Sequence, residues 1–192
     1  MSRPLLLPTG EVLEPRGRYI PSGDQQTIVR VAQPQDREQI IGIINMVAGE
    51  RRYLQTDRYL PTPAWEQVLR QGSNAEAGLL LLVVEVDHQI VGFGRLSPDG
   101  DHPPGRSVGS LGMAILPTFR SQGIGSILLD TLMASAPLMG FRKLSAAILA
   151  SNRHSQNLFR KYGFDLLGRR RIRVPFKKDP VEELLVEVDL VQ

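Results

Sequence analysis

The segment with the clearest chemical potential places one arginine and two glycines at the spacing Arg-x-x-Gly-x-Gly, from Arg120 through Gly123 to Gly125. An apolar stretch precedes it at 111–116, and a helical apolar pattern follows it. Glycine lacks a Cβ atom, so its backbone can approach a ligand closely, and the free N–H groups at a helix N-terminus attract anions. A strand, a glycine-rich loop and a helix in this order predict a phosphate or pyrophosphate site. A tight turn between strand and helix is the alternative.

Composition narrows the classes of protein to consider. The 192 residues are 42% hydrophobic and 22% charged, which suits one globular domain with a full core. The absence of cysteine excludes disulfides, thiolate metal sites and a cysteine nucleophile. The histidines at 88, 102 and 154 lack metal-ligand spacing, so we expect no metal.

The distribution of charge and hydrophobicity also bears on partners. No apolar run reaches the roughly 18 residues of a membrane span, so we expect a cytoplasmic protein without a membrane partner. The net charge of +3 is compatible with an anionic cofactor and does not require nucleic acid.

The first half of the chain predicts an irregular extension or small hairpin over residues 1–26, which holds four prolines. A strand over 28–32 follows, and then a helix to about residue 50 with Asp36 as its cap. Thr62 caps a second helix, which Gly72 ends. Apolar runs at 79–86 and 90–96 predict a hairpin, with a loop over 97–106 after it.

The second half begins with the central strand, from about Ser107, and with the helix that opens at 123–126. A strand over 144–149 comes next. Ser151 or Asn152 caps a helix that runs through residue 161, and Gly163 closes it. Two strands, over 164–173 and 183–190, complete a mixed α/β pattern around one sheet.

The order of elements and the motifs together resemble the GNAT superfamily of acetyl-CoA-dependent N-acetyltransferases, over residues 27–190. Three segments carry the resemblance: 111–125, the sequence Asn-x-x-Ser-x-x-Leu-Phe at 152–159 with Lys-Tyr-Gly-Phe at 161–164, and the strand at 182–190. The resemblance implies an α/β (mixed α+β) single domain over 27–192. Its central sheet would be mixed and mostly antiparallel, with about seven strands flanked by four helices.

The resemblance also implies roles for individual residues. The backbone of Met113, Ala114 and Ile115 would pair with the pantetheine arm of acetyl-CoA, and the Ile115 N–H would polarise the thioester carbonyl. Asn152 would hydrogen-bond the arm, although capping its helix is an alternative role, and Ser155 and Phe159 complete the cofactor-binding set. The pyrophosphate would be held by the backbone N–H groups of Arg120, Ser121, Gln122, Gly123, Ile124, Gly125 and Ser126.

The sequence departs from the family pattern at the proton-transfer positions. Where the family often has a tyrosine that protonates the leaving thiolate, this chain has Phe159. Tyr162 lies one turn further on and is a substitute, with a packed aromatic as the alternative. The position of the usual strand glutamate falls at about Ser110, so Glu50 or Glu85, acting through water, are the candidate bases, and a solvated role is the alternative for each.

The resemblance implies direct acetyl transfer to a primary amine of an unidentified small molecule or protein. Tyr53, Tyr59 and Trp65 fall where the family builds its acceptor wall, with core packing as the alternative for Trp65. A non-catalytic acetyl-CoA-binding regulatory module is the second interpretation. The basic segment 168–173 is an edge strand with solvated arginines, a contact with an acidic substrate or a nucleic-acid contact, and its lack of interleaved aromatics argues against nucleic acid. A homodimer is a family-level expectation.

Overall fold

The computed structural model describes residues 5–6, 12–13, 27–99 and 108–190. Within the predicted N-terminal extension, β1 (Leu5–Leu6) pairs antiparallel with β2 (Val12–Leu13). The rest of that extension, the loop residues 100–106 and the predicted strand start at Ser107 lie outside the described residues. The division of the chain at residue 27 stays a prediction.

The remaining elements follow the predicted order and lie close to the predicted bounds. They are β3 (Thr27–Val31), α1 (Arg37–Gly49), α2 (Pro63–Gln71), β4 (Leu80–Val86), β5 (Gln89–Pro98), β6 (Val108–Ile115), α3 (Ile124–Ser135), β7 (Lys143–Leu149), α4 (Arg153–Lys161), β8 (Asp165–Ile172) and β9 (Val181–Asp189).

The main sheet of the described residues has seven strands in the order β3-β4-β5-β6-β7-β9-β8. All of its neighbouring pairs are antiparallel except β6 and β7, which run parallel. The predicted fold, a mixed and mostly antiparallel sheet with four helices, is confirmed. The basic segment forms most of β8, an edge strand as expected, and two of its arginines pair with Glu182 and Glu183 of β9.

Two apolar cores lie on opposite faces of this sheet. Helices α1 and α2 cover one face, where Ile40 and Ile44 pack with Leu81 and Phe93. Helices α3 and α4 cover the other face, where a second set of side chains packs, including Leu128, Leu132, Leu82 and Leu96. Because both faces are covered, β4 is apolar along nearly its whole length.

The helix boundaries have local causes. The Thr62 hydroxyl accepts a hydrogen bond from the Trp65 N–H at 3.2 Å. Gly72 and Gly163 have positive φ angles, +85° and +80°, where α2 and α4 end. Asp36 is the N-cap residue of α1 as predicted, but its side chain makes no capping hydrogen bond to that helix. The Asp36 carboxylate instead accepts the Gln33 N–H at 2.8 Å and two hydrogen bonds from Arg30.

The loop between α1 and α2 is fixed at Tyr59. The Tyr59 N–H donates to Asn45 Oδ1 on α1 at 2.6 Å, and its hydroxyl donates to Glu66 Oε1 on α2 at 2.9 Å. Arg37 and Arg70 donate to the same Glu66 carboxylate. These contacts hold the loop against the face of the sheet that α1 covers.

We expect Gly94→Ala to destabilise the protein, because a Cβ at residue 94 would lie 2.6 Å from Cδ1 of the fully buried Leu132. Overpacking of a filled core costs about 1–3 kcal/mol, which urea unfolding would measure. Gly112→Ala, where a Cβ meets nothing within 4 Å, is the matched control and should change the free energy of unfolding by less than about 0.5 kcal/mol. Equal losses of unfolding free energy in Gly94→Ala and Gly112→Ala would contradict the inference that the core between the sheet and α3 has no room for a Cβ at residue 94.

Burial and the hydrogen bond to Glu66 raise the pKa of Tyr59 to about 12. The folded state therefore keeps the Tyr59 proton between pH 10 and 12, where the unfolded chain loses it. The stabilisation from this proton is complete below about pH 10 and is lost as the pH rises through about 12. In an absorbance titration of phenolate, Tyr59→Phe should remove an ionisation near pH 12, and Glu66→Gln should move that ionisation to lower pH. Loss of a tyrosine that ionises at the ordinary value of about 10 would contradict the assignment.

Candidate active site

A gap opens in the sheet between β6 and β7. These strands pair only where Val108–Ser110 meets Lys143–Ser145, whereas β6 stays paired with β5 to Ile115. The Leu116 N–H donates to the Val91 carbonyl at 2.9 Å, on the β5 side. Because main-chain direction alternates along a strand, Met113 and Ile115 direct their N–H groups into the gap.

The glycine-rich loop after β6 presents unbonded amides beside this gap. The Arg120 N–H donates to the Pro117 carbonyl and the Ser126 N–H to the Gly123 carbonyl. The amides of residues 121–125 donate to no protein acceptor in the described part of the chain. Ser121 and Gly123 take positive φ angles of 60° and 82°, and α3 begins directly after them. The amides therefore converge at the positive end of the α3 dipole, where an anion is favoured.

A cavity of about 270 Å³, here called the loop cavity, lies where the gap, the glycine-rich loop and α4 meet. The predicted residues that line it are Met113, Ala114, Ile115, Arg120, Ser121, Gly123, Gly125, Ser126, Asn152 and Ser155.

Arg120 holds the cavity together through its side chain. Its Nε donates to the Ile115 carbonyl at 3.0 Å, and its two Nη atoms donate to the Glu50 carboxylate at 2.8 and 2.5 Å. Its guanidinium also lies over the Tyr53 ring, 4.4 Å from the centroid. Hydrogen bonding to Glu50 raises the pKa of Arg120. The side chain thus joins β6, the end of α1 and the α1–α2 loop.

The two candidate bases are not brought to the cavity walls. Both Glu50 oxygens accept hydrogen bonds from Arg120, and Glu50 is not among the lining residues. Glu85 lies on β4, where Arg30 Nε donates to it at 3.0 Å. Neither carboxylate therefore faces the gap.

The Asn152 side chain caps α4 and also lines the loop cavity. Its Oδ1 accepts the Ser155 N–H at 3.1 Å, which caps α4. Its Nδ2 donates to no protein acceptor among the described residues, although the side chain is only 8% exposed and lines the loop cavity. The cap therefore leaves the Asn152 amide hydrogens available to a ligand.

Four other predicted side chains lie away from the loop cavity. Phe159 is buried in the α3 and α4 core with its ring edge-on to Phe164 at 4.8 Å, and Ile124 is buried in the same core. The Tyr162 hydroxyl donates to the Ser126 carbonyl at 2.9 Å, so its proton points at main chain. Gln122 donates to the Thr118 carbonyl. Gln122 and Ile124 can contribute only their main-chain amides.

A second cavity of about 570 Å³, here called the sheet cavity, lies on the α1 and α2 face and shares Tyr53, Leu54 and Met113 with the loop cavity. The aromatic residues predicted for an acceptor wall, Tyr53, Tyr59 and Trp65, all line it. Trp65 also packs edge-on against Phe93 at 5.9 Å. The two cavities meet beside the gap.

Among the wall residues that sequence reasoning missed, two carry ionisable side chains. Arg95 lines the sheet cavity, with its guanidinium 4.9 Å from the centroid of the Trp65 ring. Burial lowers the pKa of Arg95. Its signal in the sequence is a single charge inside the apolar run at 90–96. His154, one residue before Ser155, lines the loop cavity and was considered only as a metal ligand.

The described residues carry little acidic or metal-binding chemistry at this place. None of those that line either cavity is acidic. The described part of the chain also contains no group of three or more histidine or carboxylate side chains placed to hold a metal ion. None of the helices described is long and apolar enough to cross a membrane.

Comparisons with known proteins agree with this geometry. A family model described as the acetyltransferase (GNAT) family matches residues 40–164. Mycothiol acetyltransferase of Renibacterium salmoninarum is 30% identical over 119 residues, which are 58% of this chain and 33% of that protein. The chain thus spans about a third of the length of that relative.

Two solved structures show the same fold. A ribosomal-protein-alanine N-acetyltransferase from Brucella melitensis has a TM-score of 0.74 at 23% identity, covering 85% of this chain and 99% of that one. A GNAT superfamily phosphinothricin acetyltransferase from Sinorhizobium meliloti, in complex with AcCoA, has a TM-score of 0.69 at 22% identity, covering 85% and 88%. With a family model matched over well more than half of its residues, the chain belongs to the acetyltransferase (GNAT) family.

Proposed function

We propose that the protein transfers an acetyl group from acetyl-CoA directly to a primary amine. The observation that carries this proposal is the gap between β6 and β7. Main-chain N–H groups of Met113 and Ile115 face the gap, and the unbonded amides of residues 121–125 continue from it. An extended thioester arm joined to a diphosphate matches that sequence of donors.

The residues present fit acetyl-CoA in three parts. Main-chain groups of Met113 and Ile115 are placed to pair with the pantetheine amides as an added strand would. The amides of residues 121–125, at the start of α3, suit the pyrophosphate. The Asn152 Nδ2 supplies a further donor to the arm.

The chemistry needs few side chains. The ammonium form of the acceptor first loses one proton. The amine nitrogen then attacks the thioester carbonyl carbon, the carbon–sulfur bond breaks, and the remaining proton released from that nitrogen passes through water to the departing coenzyme A thiolate. The Ile115 N–H would stabilise charge on the carbonyl oxygen, and the cavity walls would position the reactants. Because none of the described lining residues is acidic, the proton of the ammonium passes to water.

The acceptor is a small molecule in this proposal. One structural neighbour is named for phosphinothricin and another for a ribosomal-protein alanine, so the shared fold alone does not decide the acceptor. The sheet cavity of about 570 Å³, roofed by the α1–α2 loop, favours a compact ligand. The cytoplasmic location and the homodimer stay predictions.

We expect thiol release from acetyl-CoA when the protein is given a panel of primary amines, with the acetylated product identified by mass spectrometry. Calorimetry with acetyl-CoA is run first. Binding without turnover across the panel would favour the regulatory module, and no binding at millimolar acetyl-CoA would refute the proposal.

We expect Gly125→Val to weaken acetyl-CoA binding about tenfold or more, the scale of one lost charge-assisted hydrogen bond. A Cβ at residue 125 would lie 3.3 Å from Leu158 Cδ2 and 3.4 Å from Ile115 Cδ1, so a valine would crowd the wall of the loop cavity beside the amides of residues 121–125. Affinities for acetyl-CoA and for S-acetylpantetheine, which lacks the pyrophosphate, would be compared by calorimetry.

The wild-type protein should bind acetyl-CoA much more tightly than S-acetylpantetheine, and the Gly125→Val variant should lose much of that preference. Gly42→Ala, on the exposed side of α1 with nothing within 4 Å of the added Cβ, is the matched control and should keep it. An unchanged preference in Gly125→Val would mean that the pyrophosphate binds elsewhere.

A further inference from the structure

Arg95 is a half-buried cation without an anionic partner. Among the described residues it makes no hydrogen bond or ion pair, and its recorded neighbour is the face of Trp65. Many other arginines of the described chain each pair with a carboxylate, among them Arg30, Arg37, Arg70, Arg120, Arg169 and Arg170. Arg95 differs from them because its guanidinium N–H groups donate to no acceptor among the described residues.

Burial makes this arrangement unfavourable unless an anion completes it. Desolvation acts against the charged form and lowers the pKa of Arg95, yet a guanidinium stays charged at neutral pH. A buried charge is ordinarily paired. The planar guanidinium presents paired N–H groups that match a carboxylate or a similar oxyanion with two parallel hydrogen bonds.

The space beside Arg95 is open on the side that faces the sheet cavity. Gly112 is its cross-strand partner on β6, and a Cβ at that glycine would meet nothing within 4 Å. Both residues line the sheet cavity, whose other described walls are mainly apolar or aromatic and include no acidic side chain. A ligand can therefore lie over Gly112 with its anionic group against Arg95.

The reacting centre is within the reach of a small molecule from this point. Gly112 and Ile115 lie three residues apart on β6, roughly 10 Å at the rise of a strand. The long Arg95 side chain can span part of that interval. An acceptor held by its anionic end would thus direct its amine towards the Ile115 N–H.

We infer that the acceptor is a small amine that also carries an oxyanionic group, of the kind found in an amino acid with an apolar body, and that Arg95 binds that group. This inference rests on the proposed function, because it names the acceptor class of the same site. Selectivity for the acceptor would then come from a side chain of β5, the strand next to β6, which carries the proposed thioester site at Ile115.

Trp65 provides a direct test of binding. It is the single tryptophan of the chain and lies against Arg95, so its fluorescence should report an anion that engages the guanidinium. Leucine, methionine and phenylalanine should each give a saturable change in wild-type fluorescence, measured with and without coenzyme A, and their amides should not. Arg95→Met should lose the response to the acids.

Kinetics give the second test. Arg95→Met should lower kcat/KM about 10- to 100-fold for the preferred amino acid and less than about twofold for its amide, since only the acid loses a charge-assisted pair. Arg95→Lys, which keeps the charge without the fork, should fall between the two. The amide has an amine pKa near about 8 and offers more free amine at neutral pH, so a preference for the acid cannot come from the nucleophile.

Arg160→Met is the matched control, because it makes the same change of charge at an exposed residue of α4 outside both cavities, and it should leave all these values unchanged. Equal losses for acid and amide in Arg95→Met, a wild-type preference for the amide, or no fluorescence response to any acid would overturn the inference. A failure of acetyl-CoA to bind would instead overturn the proposed function, since the fluorescence titration does not need it.

Discussion

The parting of β6 and β7 after Ser110 is the constraint on which the rest of the site depends. A parallel pair that stayed together to Ile115 would use the main-chain groups of Met113 and Ile115 within the sheet. β7 stays paired with β9 over its whole length, but on its other edge it parts from β6 after Ser145, so main-chain groups of β6 that point towards β7 face a gap. Unpaired main-chain groups are unfavourable when buried, so the gap calls for water or an extended ligand. The sheet thus has an open strand edge on β6 after Ser110.

Arg120 explains how the walls of this gap stay in place. Its side chain joins the Ile115 carbonyl, the Glu50 carboxylate and the Tyr53 ring, which belong to three separate segments. An arginine is suited to such a junction because its fork can satisfy several acceptors while its face stacks on an aromatic ring. The Arg120 side chain therefore positions these three segments, and the main-chain amides of residues 121–125 are left for a ligand.

Sequence patterns predicted the elements because their signals are local. Thr62 and Gly163 mark helix ends through hydrogen bonds and φ angles that involve only neighbouring residues, and both predictions are confirmed. Contacts between distant segments were not predictable in this way. Glu85 of β4 accepts a hydrogen bond from Arg30 of β3, and Glu183, which is fully buried, accepts them from Gln55 of the α1–α2 loop and Arg170 of β8. Such pairings follow from strand order and register, which a single sequence does not specify.

The two cavities offer different groups to a ligand. This difference explains why the sequence predicted the loop cavity better than the sheet cavity. The loop cavity offers mainly main-chain N–H groups, whose placement requires small residues such as Gly123 and Gly125, so a short motif marks it. The sheet cavity offers side chains from β5, β6, β7, α2 and a loop, and these can change without disturbing the main chain of β6. A shared fold at 22% identity therefore does not identify the acceptor. For this chain the information about the acceptor lies in residues such as Arg95, whose charge no described side chain balances.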